Sequence, residues 1–308
     1  MKKLPLAFSG CLLGLAGAGN LISDTLPELS HVFSGLGLGL WIIFLISHLL
    51  DWQNTANELK KRPVLSGMAT FPMAGMILAT YLLRTVPSAP LLAQVLWWFS
   101  FLLDIGLITY FSVQLLTSKE KIYATPSWTV LYVGIAVAGV TAPAYEKTGF
   151  GAATFWFGLI TLIPLLVIVI KRYTVHPLPD PVKPLTGIFA APMSLCIAAY
   201  IQSVQVKNYT LLMGMFVVAT VLYVYSLVVS LGLLKKFYPS FAGFTFPFVI
   251  SAIATKQTMA CSALMGHPLP WLSNIVLAET VIATAFVAFV YVKYMVFIFA
   301  GNAGHEGK

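Results

Sequence analysis

The chain has 308 residues, of which 59% are apolar and only 9% charged, with a formal net charge of +8. Soluble domains carry about 25% charged residues, so a water-facing globular surface is excluded. Nucleic-acid binding is excluded as well, because the 18 Lys and Arg residues form short clusters between apolar runs and no basic face.

A helix of about 20 apolar residues crosses a bilayer core of roughly 30 Å. Ten such runs are predicted in chain order, at 4–22, 31–50, 65–83, 91–116, 127–145, 151–170, 185–204, 209–234, 241–263 and 271–299. Backbone polar groups in lipid must be satisfied internally, and runs of this length suit helices rather than barrel strands. The predicted fold class is all-α: a polytopic membrane protein with ten transmembrane helices as five helical hairpins. One transmembrane domain takes up 1–308, leaving no room for a soluble domain.

The first run imitates a secretory signal, with Lys2 and Lys3, an apolar stretch and a cleavage-like Ala16-Gly17-Ala18. It is kept as a span because the alternation of basic loops requires ten. Connections after even spans hold Lys60, Lys61, Arg62, Lys119, Lys121, Lys171, Arg172, Lys183, Lys235 and Lys236. Those after odd spans hold only Arg84, Lys147 and Lys207. The positive-inside rule then predicts a multi-pass protein of the cell (inner or plasma) membrane with both termini in the cytoplasm.

Prolines concentrate in the odd spans: Pro72, Pro143, Pro192 and Pro247, with Pro5 at the mouth of the first. Each is expected to kink its helix by removing a backbone hydrogen bond. Thr70-Phe71-Pro72 recurs as Thr245-Phe246-Pro247 at the same depth, and small residues follow each proline, permitting close helix approach. Gly10 and Gly14 form a GxxxG spacing that reads as packing. Five bent odd helices around a water-accessible axis, with five straighter even helices facing lipid, is the expected arrangement.

Ionisable residues inside a membrane are functional candidates by default. Asp104 lies in the fourth span, Lys256 near the outer end of the ninth and Glu279 in the tenth. Lys256 and Glu279 are expected to form an ion pair, with Lys256 as an anion attractor the competing reading. Cys11, Cys196 and Cys261 fall within spans and read as buried thiols. His31, His48, His176, His267 and His305 give no metal or haem spacing. No Walker A loop, GxSxG elbow or HExxH is present, so nothing reads as an enzyme and no cofactor or metal is implied.

Three segments, PSWTVLYVGIAVAGVTAP (126–143), LPDPVKPLTGIFAAPMSLCIAAYI (178–201) and FTFPFVISAIAT (244–255), together with the ten spans, resemble the tellurite-resistance/dicarboxylate transporter family. That family includes the bacterial tellurite-resistance protein A, plant guard-cell slow anion channels and the yeast malate permease. The resemblance implies a homotrimer in the lipid bilayer, with odd helices lining a central pore in each protomer and even helices forming an outer ring. It implies a phenylalanine gate at Phe246. The pore-kink prolines carry over to Pro72, Pro192 and Pro247, and more loosely to Pro143. Phe71 is the equivalent of Phe246 in the third span, and Ser9, Thr141, Thr186 and Thr245 are candidate hydroxyl linings. The implied function is an anion channel for small anions such as chloride or nitrate. The alternative is a proton-coupled carrier or exporter of dicarboxylates or oxyanions such as malate, tellurite or sulfite.

Overall fold

The computed structural model describes residues 4–118, 123–175 and 178–303. Lys2, Lys3, Lys119, Lys121, His176 and His305 lie outside these described residues. Among the described residues every regular element is helical: α1 (Ser9–Leu21), α2 (Pro27–Leu50), α3 (Trp52–Leu59), α4 (Arg62–Gly67), α5 (Thr70–Thr85), α6 (Pro90–Thr117), α7 (Ser127–Val133), α8 (Ala136–Thr141), α9 (Thr148–Val175), α10 (Ala191–Ser203), α11 (Tyr209–Gly232), α12 (Phe246–Leu264) and α13 (Leu272–Ala303). Stretches of 3₁₀ helix lead into α1, α10 and α12, at Leu6–Phe8, Asp180–Ala190 and Pro239–Phe244.

Among the described residues seven helices are long and apolar enough to cross a membrane: Pro27–Leu50, Arg62–Thr85, Pro90–Thr117, Thr148–Tyr173, Asp180–Ser203, Tyr209–Gly232 and Leu272–Phe299. An eighth span results if Ser127–Val133 and Ala136–Tyr145, bent by 47° at their junction, are one crossing. The predicted first run is the shorter apolar helix Leu6–Leu21, and the ninth begins in 3₁₀ form before α12. Both runs differ from an uninterrupted apolar helix for a physical reason. Their backbone is broken near the start, and α12 carries Ser251, Thr255, Lys256, Gln257 and Thr258. Helix α3 falls in a stretch read from sequence as a loop. It is a short surface helix that buries Thr55 and leaves Trp52 exposed.

Burial separates the helices into two groups. In α2, α6, α9, α11 and α13 only 28–33% of the apolar stretch is buried, against 61% for Arg62–Thr85 and 83% for Asp180–Ser203. Almost every residue of α1, α7, α8 and the first half of α12 is buried as well. The inner elements close on one another: α1 packs on α5, α5 on α8, α8 on α10, α10 on α12 and α12 back on α1. Each also packs on the long helix that follows it in sequence. Lipid tails give no hydrophobic drive between helices, so close van der Waals packing holds such a ring, and small residues permit it. A Cβ on Gly14 would meet Thr245 Cβ at 2.5 Å, so the GxxxG stripe of α1 is what admits the start of α12.

The prolines act differently from the expected interior kinks. Pro192 and Pro247 stand at the second position of α10 and α12, and Pro72 stands in the first turn of α5. A first-turn N–H has no intrahelical partner, so proline there removes little. The bends arise instead between elements, where 3₁₀ or short helix meets α-helix. Pro143 lies in the 3₁₀ turn Ala142–Tyr145 at the far end of its segment and is only half-buried.

Candidate functional site

The broken inner segments surround a cavity of about 280 Å³. Its wall takes residues from all five: Gly10 and Leu13; Gly67, Thr70 and Met73; Ser127, Thr129, Val133 and Gly134; Ile188, Pro192 and Leu195; and Ser240, Gly243, Phe246 and Pro247. The walls combine apolar side chains with a few hydroxyls, and among the described residues no charged side chain lines the cavity.

Phe246 is the first residue of α12 and is 4% exposed. Its ring is seated on α1, where a Cβ on Gly17 would come within 3.1 Å of Cδ2. The preceding residue fixes that position. The Thr245 hydroxyl donates to the carbonyl of Gly10 at 2.8 Å, tying the turn before α12 to α1 across 235 residues of sequence. It also lies 2.7 Å from the Ala242 carbonyl, which accepts from the Thr245 backbone N–H as well.

The four residues expected to line a pore with hydroxyls, Ser9, Thr141, Thr186 and Thr245, are not among those lining this cavity, although Ser9 Oγ lies 2.7 Å from Oγ1 of Thr70 in its wall. Ser9 donates to the carbonyl of Leu6 and Thr186 to that of Lys183, each three residues back, and Thr245 shares its one proton between the carbonyls of Ala242 and Gly10. In lipid such bonds satisfy carbonyls that a helix break would otherwise strand. Thr141 donates to the Val137 carbonyl and accepts from the indole Nε1 of Trp97 at 2.8 Å. The hydroxyls present in the wall are those of Thr70, Ser127, Thr129 and Ser240, which sequence reading passed over. Thr70 precedes Phe71-Pro72 as Thr245 precedes Phe246-Pro247, so the repeated tripeptide carried a signal for it.

Phe71 and Pro72 also lie outside the cavity wall. The Phe71 ring stacks on Trp41 with centroids 4.5 Å apart and an interplanar angle of 4°, and Phe44 lies 5.3 Å away. The Phe71 carbonyl accepts from Trp41 Nε1 at 3.0 Å. The tripeptide repeats in sequence and in helix position, but the two rings face different surroundings.

Lys256 and Glu279 do not pair. Lys256 Nζ lies 3.0 Å from Asp24 Oδ2, in the connection after α1. The reason is azimuth: α12 packs on both α1 and α13, and position 256 turns toward the end of α1 while Thr255 turns toward Glu279. The hydrogen bond and charge of Lys256 hold the Asp24 carboxyl below the usual carboxylate range. The pair is largely exposed, with Asp24 76% and Lys256 34% accessible.

At the end of the cavity bounded by Pro63 and Val182, a wider recess of about 930 Å³ shares those two residues and carries Lys60, Arg62 and Arg172. Arg62 donates to the Ser118 hydroxyl at 2.7 Å, and the Arg172 guanidinium lies 4.9 Å from the Tyr123 ring centroid. Cationic groups at one mouth and neutral walls beyond it suit an anion, which is concentrated at the entrance and then loses water against apolar surface. Among the described residues no group of three or more His, Cys, Asp and Glu could hold a metal.

No curated protein matches the chain. The family model described as voltage-dependent anion channel (SLAC1) matches residues 3–295, nearly the whole length. The matched length, the multiple apolar helices and the segments quoted above agree: the chain belongs to this family of anion channels and transporters, the tellurite-resistance/dicarboxylate transporter family, and is a multi-pass membrane protein.

Proposed function

We propose that the protein is a passive channel for small anions such as chloride and nitrate, with a pore in each protomer and Phe246 as its constriction. The observation that carries this reading is the uncharged cavity drawn from all five inner segments, with Phe246 in its wall. In this reading α1, α4–α5, α7–α8, α10 and α12 belong to the five pore-lining spans of a ten-span protomer. Helices α2, α6, α9, α11 and α13 form the lipid-facing ring, and three protomers associate. The lysine- and arginine-bearing mouth and both termini are cytoplasmic, in the cell membrane.

An aromatic ring across an apolar passage gates by dewetting, because an ion must shed water where few donors replace it. Selectivity then follows dehydration cost, with the weak dipoles of Thr70, Ser127 and Thr129 as the polar contacts. The alternative, a proton-coupled carrier or exporter of dicarboxylates or oxyanions, needs a cation at mid-membrane to pair its substrate. The cavity wall has none, and Lys256 is engaged by Asp24.

The test is current across planar bilayers holding the purified protein. Phe246→Ala is expected to raise anion conductance while the protein stays folded, with a reversal potential set by the anion gradient alone. A reversal potential that moves with an imposed proton gradient would establish the carrier instead. A folded Phe246→Ala protein with unchanged conductance would remove Phe246 as the constriction.

A further inference from the structure

Glu279 is 8% exposed, and its Oε2 has no hydrogen-bond partner. It borders a cavity of about 10 Å³, room for a single water, between α10, α11, α12 and α13. The polar side chains around this cavity are Ser194, Thr220, Tyr223, Ser251 and Thr255. The Tyr223 hydroxyl is buried and without a partner too. The Ser194, Thr220 and Ser251 hydroxyls each donate to a helical carbonyl, of Ala190, Phe216 and Pro247 respectively. They therefore turn lone pairs, not protons, toward the space.

Among the described residues no cation offsets this carboxyl. On α11 the titratable group facing it is Tyr223, whereas α10 and α12 present only the hydroxyls of Ser194, Ser251 and Thr255. Lys256, the neighbour of Thr255, is turned to Asp24. Cys11 of α1 faces Tyr291 and Tyr294, about three to four turns further along α13. The Thr255 hydroxyl hydrogen-bonds the carboxyl, but a buried carboxylate with that one hydroxyl donor and no counter-charge among the described residues is costly, and the cost disappears when the group carries a proton.

We propose that Glu279 and the Tyr223 hydroxyl form a proton-binding site with one bridging water, built into the protein behind the cavity wall. The protonated carboxyl donates into the acceptor-rich space, and the water joins it to Tyr223. The site borders the wall directly. The Ser251 hydroxyl, shared between the carbonyls of Pro247 and Ala190, lies 3.0 Å from the latter and 3.1 Å from Ser194, four and two residues beyond Pro247 and Pro192 of the wall. Loss of the proton would place a negative charge in low-dielectric surroundings beside the anion path, where Coulomb repulsion is poorly screened. That last consequence rests on the channel reading; the proton site does not.

Infrared spectroscopy of the full-length protein in lipid bilayers tests the site without any transport. The carbonyl stretch of a protonated carboxylic acid is expected at neutral pH. It should lose one component in Glu279→Gln and keep that component in Asp104→Asn, which removes the other buried acid. Tyr223→Phe should shift the frequency of the same component while preserving its size, and this arm holds even if Glu279→Gln does not fold. Three results would each overturn the proposal: an unchanged band in folded Glu279→Gln, an unshifted band in Tyr223→Phe, or conversion to a carboxylate signal on adding sodium. In bilayers, wild-type anion current should fall at alkaline pH, with its reversal potential fixed, and Glu279→Gln should abolish that fall. Absence of any anion current would reject the channel and leave the infrared result standing.

Discussion

A methyl group at Gly17 would stand 3.1 Å from Cδ2 of Phe246 and 3.0 Å from Cγ1 of Val249, so the aromatic ring occupies a seat on α1 that glycine keeps open. The contact links the first and ninth apolar runs at the residue proposed as the constriction. It also assigns the glycine-rich face of α1 to a partner, with Gly10 against Ala242, Gly14 against Thr245 and Gly17 against Phe246.

Gly17→Ala is therefore expected to push the Phe246 ring by a few tenths of an ångström away from α1 and toward the axis. Anion current should fall without loss of folded protein. In a Phe246→Ala background the same substitution should have little effect, because the ring it displaces is gone. Residues in contact are the ones expected to couple in this way. Additive effects of the two substitutions would separate Gly17 from the constriction.

Thr141 tests whether a candidate lining hydroxyl serves the packed core or the pore. Thr141→Val deprives the buried Trp97 indole of its acceptor, and an orphaned buried donor costs about 1–3 kcal/mol. Thermal stability should fall by that order while anion selectivity is unchanged. A changed selectivity with unchanged stability would return Thr141 to the pore.

Much of this architecture was legible in the sequence, and the missing parts have identifiable causes. Apolar run length is a one-dimensional property, so the positions of the long helices α2, α6, α9, α11 and α13 could be read directly. The inner segments are harder, because a 3₁₀ lead-in at Asp180–Ala190 or Pro239–Phe244 has the same composition as a helix. Those lead-ins redirect the hydroxyls of Thr186 and Thr245 onto carbonyls three residues back, which spacing along an assumed α-helix does not reveal. Depth along a span likewise suggested that Lys256 and Glu279 could meet. It gave no azimuth, and the partner of Lys256 is Asp24, in a connection rather than a span.

The Asp24–Lys256 pair makes a pH prediction whose sign is fixed. A carboxyl held below its unfolded value adds stability above that value, and the contribution disappears as pH falls through the folded one. Lys256→Met should therefore cost no more than about 1 kcal/mol at neutral pH, as exposed pairs do. The difference from wild type should shrink as pH falls below the unfolded Asp value of about 3.9 and vanish only once the folded carboxyl, held lower by Lys256, is protonated. Unfolding midpoints of the two proteins across pH measure it. A loss of about 3–5 kcal/mol at neutral pH would instead indicate that the lysine pairs with a buried charge.

Phe71 and Phe246 share a tripeptide and a position at a helix start, and the structure predicts opposite consequences for their loss. Phe71 is 2% exposed, stacks on Trp41 and has Phe44 behind it, all outside the cavity wall. Removing such a ring leaves a void in a packed core, which typically costs about 3–5 kcal/mol. The stack with Trp41 adds about 0.5–1.5 kcal/mol beyond area. Phe71→Ala should accordingly lower the unfolding temperature and the yield of folded protein, with no gain of current per folded molecule. Phe71→Leu, which keeps most of the volume, should recover part of the stability. Phe246→Ala also removes buried ring surface, but one side of that ring borders an existing cavity, so its stability cost should be the smaller of the two. Measuring unfolding and conductance on both variants separates the roles. Equal destabilisation with no conductance gain in either would make Phe246 a second core aromatic, and the constriction would then have to be sought among Leu13, Met73, Val133 and Leu195 of the same wall.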